Sequence, residues 1–256
     1  MSEDENPIIA GANSSERGDD ALSSGDQPPH HLAVIMDGNG RWAKRQNKSR
    51  AEGHARGAET LRDMTRWVRQ RGISELTCYA LSTENYRERP REEVDSLLDL
   101  LAKYLHSERE ELFRLGISFR VIGRLSELPA DTHSLLEETV SLTRNHRDLV
   151  LRLAINYGGR AELTDAAKKH QSAAQGTRLE DQLYEPGMPD VDLLIRSGGE
   201  IRLSNFLPWQ TSYAELHFSP VLWPDFSEAD LDQALQQYAM RSRRFGRLPA
   251  WDPEVE

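Results

Sequence analysis

The run His31-Leu32-Ala33-Val34-Ile35-Met36-Asp37-Gly38-Asn39-Gly40-Arg41 decides the reading of the fold. Leu32 to Met36 are apolar without alternation. Such a run predicts a strand buried on both faces, the condition of a parallel sheet. An acid closes it, and two glycines and an arginine follow, as in a strand-to-helix turn. Comparable runs recur at Leu76–Ser82, Ile117–Gly123, Leu149–Asn156 and Val191–Arg196, with a shorter one at Ala214–Phe218. Between them, helical spacing predicts helices over 55–71, 91–115, 131–145, 160–173 and 228–243. Ala58, Leu61, Met64 and Val68 share a face of the first. Val94, Leu97, Leu98, Leu101, Leu105 and Leu112 share a face of the second. The alternation predicts one α/β domain: a central, mostly parallel six-stranded sheet flanked by helices. Residues 174–189, with Gly, Pro and Gln, read as a loop that could move.

Composition narrows the function classes. The chain has 256 residues, 38% of them hydrophobic, which is enough for a core. With 32 basic and 42 acidic residues its net charge is −10, which argues against general nucleic-acid binding. No apolar run has the length of a membrane span, and no basic-then-apolar start suggests secretion. The single cysteine, Cys78, excludes an internal disulfide and a cysteine-rich zinc site, and fits a reducing cytoplasm. Residues 1–26 hold seven acids and one base, so the rest of the chain carries only −4. Residues 1–28 read as a disordered acidic leader, with a partner-binding tail as the alternative. Residues 29–248 form the domain and 249–256 a C-terminal tail.

In open α/β sheets ligands sit beyond the carboxyl ends of the strands, and three loops there are chemically loaded. The first is Asp37-Gly38-Asn39-Gly40-Arg41-Trp42-Ala43. Its glycines admit a close ligand, exposed N–H groups beside Arg41 suit an anion, and Asp37 suits Mg²⁺ on phosphates. A plain βα turn with an Asp cap fits as well. Phosphoryl transfer through Asp37 needs a second Asp two residues on, where Asn39 stands. The second loop, Ser82-Thr83-Glu84-Asn85-Tyr86, either orients a substrate and relays a proton or caps a helix. The third, Arg196-Ser197-Gly198-Gly199-Glu200-Ile201-Arg202-Leu203-Ser204-Asn205, fits a diphosphate clamp or a solvated surface loop. Arg50 and His54 join Arg41 in a cationic set within an acidic protein.

Read together, HLAVIMDGNGRWAK, GHARGAE, YALSTEN, LAINYGGR, DLLIRSGGEIRLSNFLPWQ, YAEL and LWPDF resemble the cis-prenyltransferase family, which includes undecaprenyl diphosphate synthase. The resemblance runs from His31 to Gly246. It implies a Mg²⁺-dependent transferase that condenses isopentenyl diphosphate with an allylic, farnesyl-type diphosphate and forms new cis double bonds. It also implies a homodimer, cytoplasmic, with peripheral membrane contact through its lipid product. The aspartate-rich DDxxD motif of trans-type synthases is absent from the sequence.

Carried over by position, Asp37 would hold Mg²⁺ and assist departure of the allylic diphosphate. Gly38, Asn39, Gly40 and Arg41 would cradle that group, with Arg50 and His54 beside it and Trp42 near the reacting end. Ser82, Thr83, Glu84 and Asn85 would position isopentenyl diphosphate, with Asn85 the family's proposed proton acceptor. An amide is a poor base, so a relay through Ser82 or the released diphosphate is preferred. Arg196, Arg202, Leu203 and Ser204 would bind isopentenyl diphosphate, and Glu215 would be the second Mg²⁺ contact. Two departures stand out. Tyr86 replaces the family's usual Trp, and Tyr86-Arg87-Glu88-Arg89-Pro90 carries one extra residue. Arg89, which keeps the Arg-Pro step, is favoured over Arg87 for the family arginine. The Leu-rich face of 91–115 is either a wall of the hydrocarbon tunnel or ordinary core, and small Ala80 keeps the tunnel open. No insertion is evident between Pro90 and Gly123, so a mid-length, undecaprenyl-like product is expected. Two rivals remain: a non-catalytic subunit of a partner synthase, and a phosphohydrolase acting through Asp37.

Overall fold

The computed structural model describes residues 27–240. The acidic leader up to residue 26, the tail at 249–256 and the end of the helix expected to reach 243 lie outside them. Six strands form one sheet: β1 (His31–Ile35), β2 (Glu75–Ser82), β3 (Ile117–Ile122), β4 (Leu149–Tyr157), β5 (Leu193–Arg196) and β6 (Glu215–Phe218). Their order is β3-β4-β2-β1-β5-β6, and all five pairings are parallel. The sheet is therefore wholly parallel, where a mostly parallel one was expected.

Seven helices cover it: α1 (Asn39–Arg45), α2 (Arg50–Gln70), α3 (Thr83–Glu88), α4 (Arg91–Arg114), α5 (Ala130–Thr143), α6 (Gly159–Gln171) and α7 (Glu228–Ala239). Two of them, α1 and α3, are not among the helices predicted from spacing, although the cap reading of the Ser82 loop allows α3. At seven and six residues they are too short to show a helical period, and neighbouring elements hold them. Helix α2 starts at Arg50, earlier than expected, because Ser49 and Glu52 close a capping box ahead of it.

Alternate residues of β1 to β5 feed two apolar layers. Leu32 and Val34 of β1 face the layer under α2, α4, α5 and α7, whereas Ala33 and Ile35 face a smaller layer with Tyr157, Leu194 and Phe206. Both layers are closed, so continuous apolar strands are what this sheet requires.

One polar network crosses the sheet. Arg152, 1% exposed, donates to both oxygens of Glu185, to Glu75 and to the Thr77 hydroxyl. The loop at 174–189, read as one that could move, is therefore pinned at Glu185. Thr77 in turn contacts His31 Nε2 (2.8 Å), and His31 Nδ1 meets the Pro189 carbonyl (2.9 Å). A carbonyl only accepts, so Nδ1 carries the proton and Nε2 accepts from Thr77. Burial, then the Arg152 charge, lowers the His31 pKa to about 4. The unfolded chain binds a proton at His31 near pH 6.5, while the folded chain resists it down to about pH 4. Stability from this group is whole above pH 6.5 and is lost as pH falls through that window, by about 3 kcal/mol in full. Urea unfolding between pH 7.5 and 4.5 is expected to show the decline, and His31→Gln to flatten it. An unchanged slope in His31→Gln would remove His31 as its source.

Candidate active site

The site follows from the strand order. β1 lies between β2 and β5, and the chain winds outward from it in both directions. That is a topological switch point, where loops diverge and leave a crevice. The loops after β1, β2 and β5, far apart in sequence, therefore meet.

Asp37 sits at the centre. Its Oδ1 lies 3.0 Å from Arg41 Nη2 and its Oδ2 lies 2.9 Å from Arg196 Nη2. Arg196, 4% exposed, also donates to the Ser204 hydroxyl (2.7 Å) and the Arg202 carbonyl (2.5 Å). Its Nε is buried without an acceptor. Ser197, unassigned by sequence, accepts from the Asp37 N–H (3.0 Å) and donates to the Asp37 carbonyl (2.9 Å). Gly198 takes φ 88°, and a Cβ there would stand 3.0 Å from the Asp37 carbonyl oxygen. Gly38, at φ 113°, likewise packs against Leu222 with no room for a side chain. The paired glycines thus serve close packing of the two loops, besides any role toward a ligand.

Two adjoining cavities open here. The larger, of 680 Å³, runs between α2, α4 and the sheet. Its mouth holds Asp37, Ser82, Glu84, Asn85, Arg202 and Ser204; its interior holds Ala58, Leu61, Ala80, Leu97, Leu101 and Leu153. The second, of 540 Å³, is bounded by the Gly38–Arg41 turn with Lys44, Lys48 and Arg50, and shares Asp37, Asn39, His54 and Arg89 with the first. A cationic rim therefore leads into an apolar interior. Both readings of the α4 face hold, residue by residue. Leu97 and Leu101 line the cavity, while Val94, Leu105 and Leu112 are core.

Glu93, in the first turn of α4, was not singled out by sequence. It accepts from Arg89 (2.8 Å) and pairs with Arg50 (3.2 Å), which joins α2 to α4 at the rim. The i,i+4 spacing of Arg89 and Glu93 was its only sequence signal. Burial, then the charges of Arg89 and Arg50, lowers the His54 pKa to about 4, so the ring is neutral near pH 7. His54 Nε2 is buried without a partner.

Several expected site residues lie elsewhere. Trp42 donates to Asp225 (2.7 Å) and packs with Ala43 and Leu222, off the cavity walls. The Tyr86 hydroxyl donates to the Glu127 carbonyl (2.8 Å). Thr83 is buried beside Gly158. Leu203 packs in the smaller apolar layer. Arg87 points to Glu127, whereas Arg89 lines both cavities. Glu215 begins β6 in register with Leu193, three positions from the level of Arg196. That is roughly 10 Å along the strands, at the end away from Asp37. Ser82 fulfils both readings of its loop: it accepts from the Asn85 N–H as the cap of α3, and it lines the cavity.

The family model described as "Putative undecaprenyl diphosphate synthase" matches residues 35–246. This chain belongs to the cis-prenyltransferase family. An isoprenyl transferase of Heliobacterium mobile is 46% identical over 228 residues, covering 85% of this chain and 87% of that protein. One of Aquifex aeolicus is 43% identical, covering 86% and 96%. Among solved structures, lavandulyl diphosphate synthase from Lavandula x intermedia, in complex with dimethylallyl diphosphate, aligns with TM-score 0.81 at 36% identity, covering 86% of this chain and 98% of that one. A probable undecaprenyl diphosphate synthase from Campylobacter jejuni aligns with TM-score 0.72 at 33% identity, covering 86% and 99%. The chain is therefore an isoprenyl transferase, with the family's parallel six-stranded sheet in a single domain.

Proposed function

We propose that this isoprenyl transferase condenses isopentenyl diphosphate with a farnesyl-type allylic diphosphate, and that the product is an undecaprenyl-type polycis-prenyl diphosphate. The observation that carries the reading is Asp37 clamped by Arg41 and Arg196 where a cationic rim meets an apolar cavity. Ionising an allylic diphosphate places negative charge on the leaving group, and fixed cations stabilise it there. The growing chain gains about 0.8 kcal/mol per CH₂ by staying in the apolar interior. Unpartnered Arg196 Nε and His54 Nε2 leave polar capacity for diphosphate oxygens.

The reading includes Mg²⁺. No group of three or more His, Cys, Asp or Glu able to hold a metal occurs among the described residues. A single carboxylate completed by substrate phosphates and water suits this ion, and each Asp37 oxygen keeps a lone pair beyond its one guanidinium contact, so Asp37 fits. Glu215 does not join Asp37 within one chain. When bound, Mg²⁺ would supply further electrostatic stabilisation of the departing diphosphate. The chain's own part is to orient the two diphosphates through Arg41, Arg196, Arg202 and Ser204 and to keep water from the hydrocarbon.

The reading also includes a homodimer in the cytoplasm, touching membranes through its product. The loop between β5 and edge strand β6 exposes Ile201, Trp209 and Tyr213, apolar area for such an association to bury. No helix of the described residues is long and apolar enough to cross a membrane.

The deciding experiment offers radiolabelled isopentenyl diphosphate with several allylic primers and Mg²⁺, and sizes the products by chromatography. Mid-length chains are expected. No product from the purified protein would favour a non-catalytic subunit. Phosphate release from simple monoesters without chain growth would favour a hydrolase. Within the same assay, Arg89→Ala is expected to lower kcat/KM for the allylic substrate about tenfold to a hundredfold, since a charged hydrogen bond is worth about 1.5–3 kcal/mol. Arg87→Ala is expected to change it by no more than about twofold. The reverse ranking would give Arg87 the role.

A further inference from the structure

Chain growth by this chemistry ends with loss of a proton, and the site shows where that proton can go. The lining of the larger cavity includes two carboxylates, Asp37 and Glu84. Both oxygens of Asp37 are paired with guanidinium groups. His54 is neutral but stands on the other side, flanked by Arg50 and Arg89 and shared with the cationic cavity. The Asn85 side chain is an amide and takes protons poorly. Glu84 is exposed at the mouth, as the second residue of α3. It is tied through Oε1 to Asn205 Nδ2 (2.9 Å).

Asn205 is itself held rigidly. Its Oδ1 accepts from the Arg160 N–H (2.8 Å), and its backbone carbonyl accepts from the Gly159 N–H (2.8 Å). A backbone N–H only donates, so Oδ1 must face α6 and Nδ2 must face Glu84. The residue adopts φ 65°, a left-handed conformation that Asn tolerates better than most side chains. Its neighbour Ser204 is bonded to Arg196. Asn205 therefore fixes the Glu84 carboxylate against the loop that carries Arg196, Arg202 and Ser204.

We propose that Glu84 is the base that accepts the proton lost from isopentenyl diphosphate, and that Asn205 is the positioning residue that aims it. The inference rests on the function proposed above. The allylic C1–O bond breaks and its electron pair leaves on diphosphate. C1 bonds to C4 of isopentenyl diphosphate, which places the cation at C3. The C2–H bond then breaks, its pair becomes the C2=C3 double bond, and the proton passes to the Glu84 carboxylate. A hydrogen beside a tertiary cation is acidic enough for any carboxylate to remove. Because Glu84 is exposed, it returns the proton to water before the next addition.

The test uses the full chain with farnesyl diphosphate, Mg²⁺ and isopentenyl diphosphate, unlabelled or deuterated at C2. Glu84→Ala is expected to lower kcat about a hundredfold or more, with the KM for isopentenyl diphosphate changed by no more than about threefold. Added formate is expected to restore a large part of the loss in Glu84→Ala and nothing in the parent enzyme. The isotope effect on kcat is expected to rise in Glu84→Ala and to fall again with formate. Asn205→Ala, which keeps the carboxylate, is expected to lose kcat without responding to formate, and Glu84→Asp to recover part of the Glu84→Ala loss. Glu84→Ala that keeps kcat within about threefold of the parent, or that loses it with no response to formate, overturns the proposal. Failure of the parent enzyme to elongate any primer overturns the underlying function instead.

Discussion

Asp37→Ala is expected to lower kcat by about a hundred- to a thousandfold, about 3–4 kcal/mol, because Asp37 orients the cations that stabilise the negative charge developing on the departing diphosphate. The geometry makes the loss larger than that of one group. Asp37 orients Arg41 and Arg196 through opposite oxygens, 3.0 and 2.9 Å away. Without it, Arg196 stays charged in a nearly closed site and turns to its remaining acceptors, Ser204 and the Arg202 carbonyl. Asp37→Asn keeps one acceptor oxygen and the shape. It is expected to preserve thermal stability better than Asp37→Ala while losing a similar share of turnover, because the charge is gone. Steady-state kinetics with thermal denaturation of both variants checks this. Turnover of Asp37→Ala equal to that of the parent would remove Asp37 from the chemistry.

The second large effect is on stability. Arg152→Met is expected to destabilise the fold by about 3–5 kcal/mol, because breaking a buried ion pair strands its partner. Here two carboxylates, Glu75 and Glu185, and the Thr77 hydroxyl lose their shared donor. At roughly 2–4 °C per kcal/mol for a domain of this size, Tm falls by about 10 °C. The network lies toward the amino ends of the strands, whereas Asp37, Ser82 and Arg196 lie at the carboxyl ends. Turnover at low temperature is therefore expected to survive. A Tm shift below about 2 °C would mean that water replaces the lost bonds.

Much of this was legible in the chain. The continuous apolar runs marked strands covered on both sides, and Asp37, Ser82 and Arg196 were conspicuous because each ends such a run. Short elements were not legible. α1 is held by packing and α3 by packing and the Ser82 cap, not by a repeat that a period can reveal. Glu93, Ser197 and Asn205 were given no role of their own for a related reason. Each bonds something distant in sequence, Arg50, Asp37 or Glu84, and only the i,i+4 spacing of Glu93 with Arg89 marks one of them locally. Trp42 and Tyr86 lie in the right motifs, yet their rings and polar tips are spent on Asp225 and Glu127.

The chain alone determined the layering, since apolar residues with no polar alternation have no stable place except between two covers. It also determined which three loops carry charge and hydroxyl groups. Only the tertiary structure decided that those loops share one mouth, because that depends on β1 lying between β2 and β5. Strand order is a global choice, made by which faces bury the most surface, and no window of sequence contains it. For the same reason Glu215, three residues from Phe218 along β6, stands at the far end from Asp37.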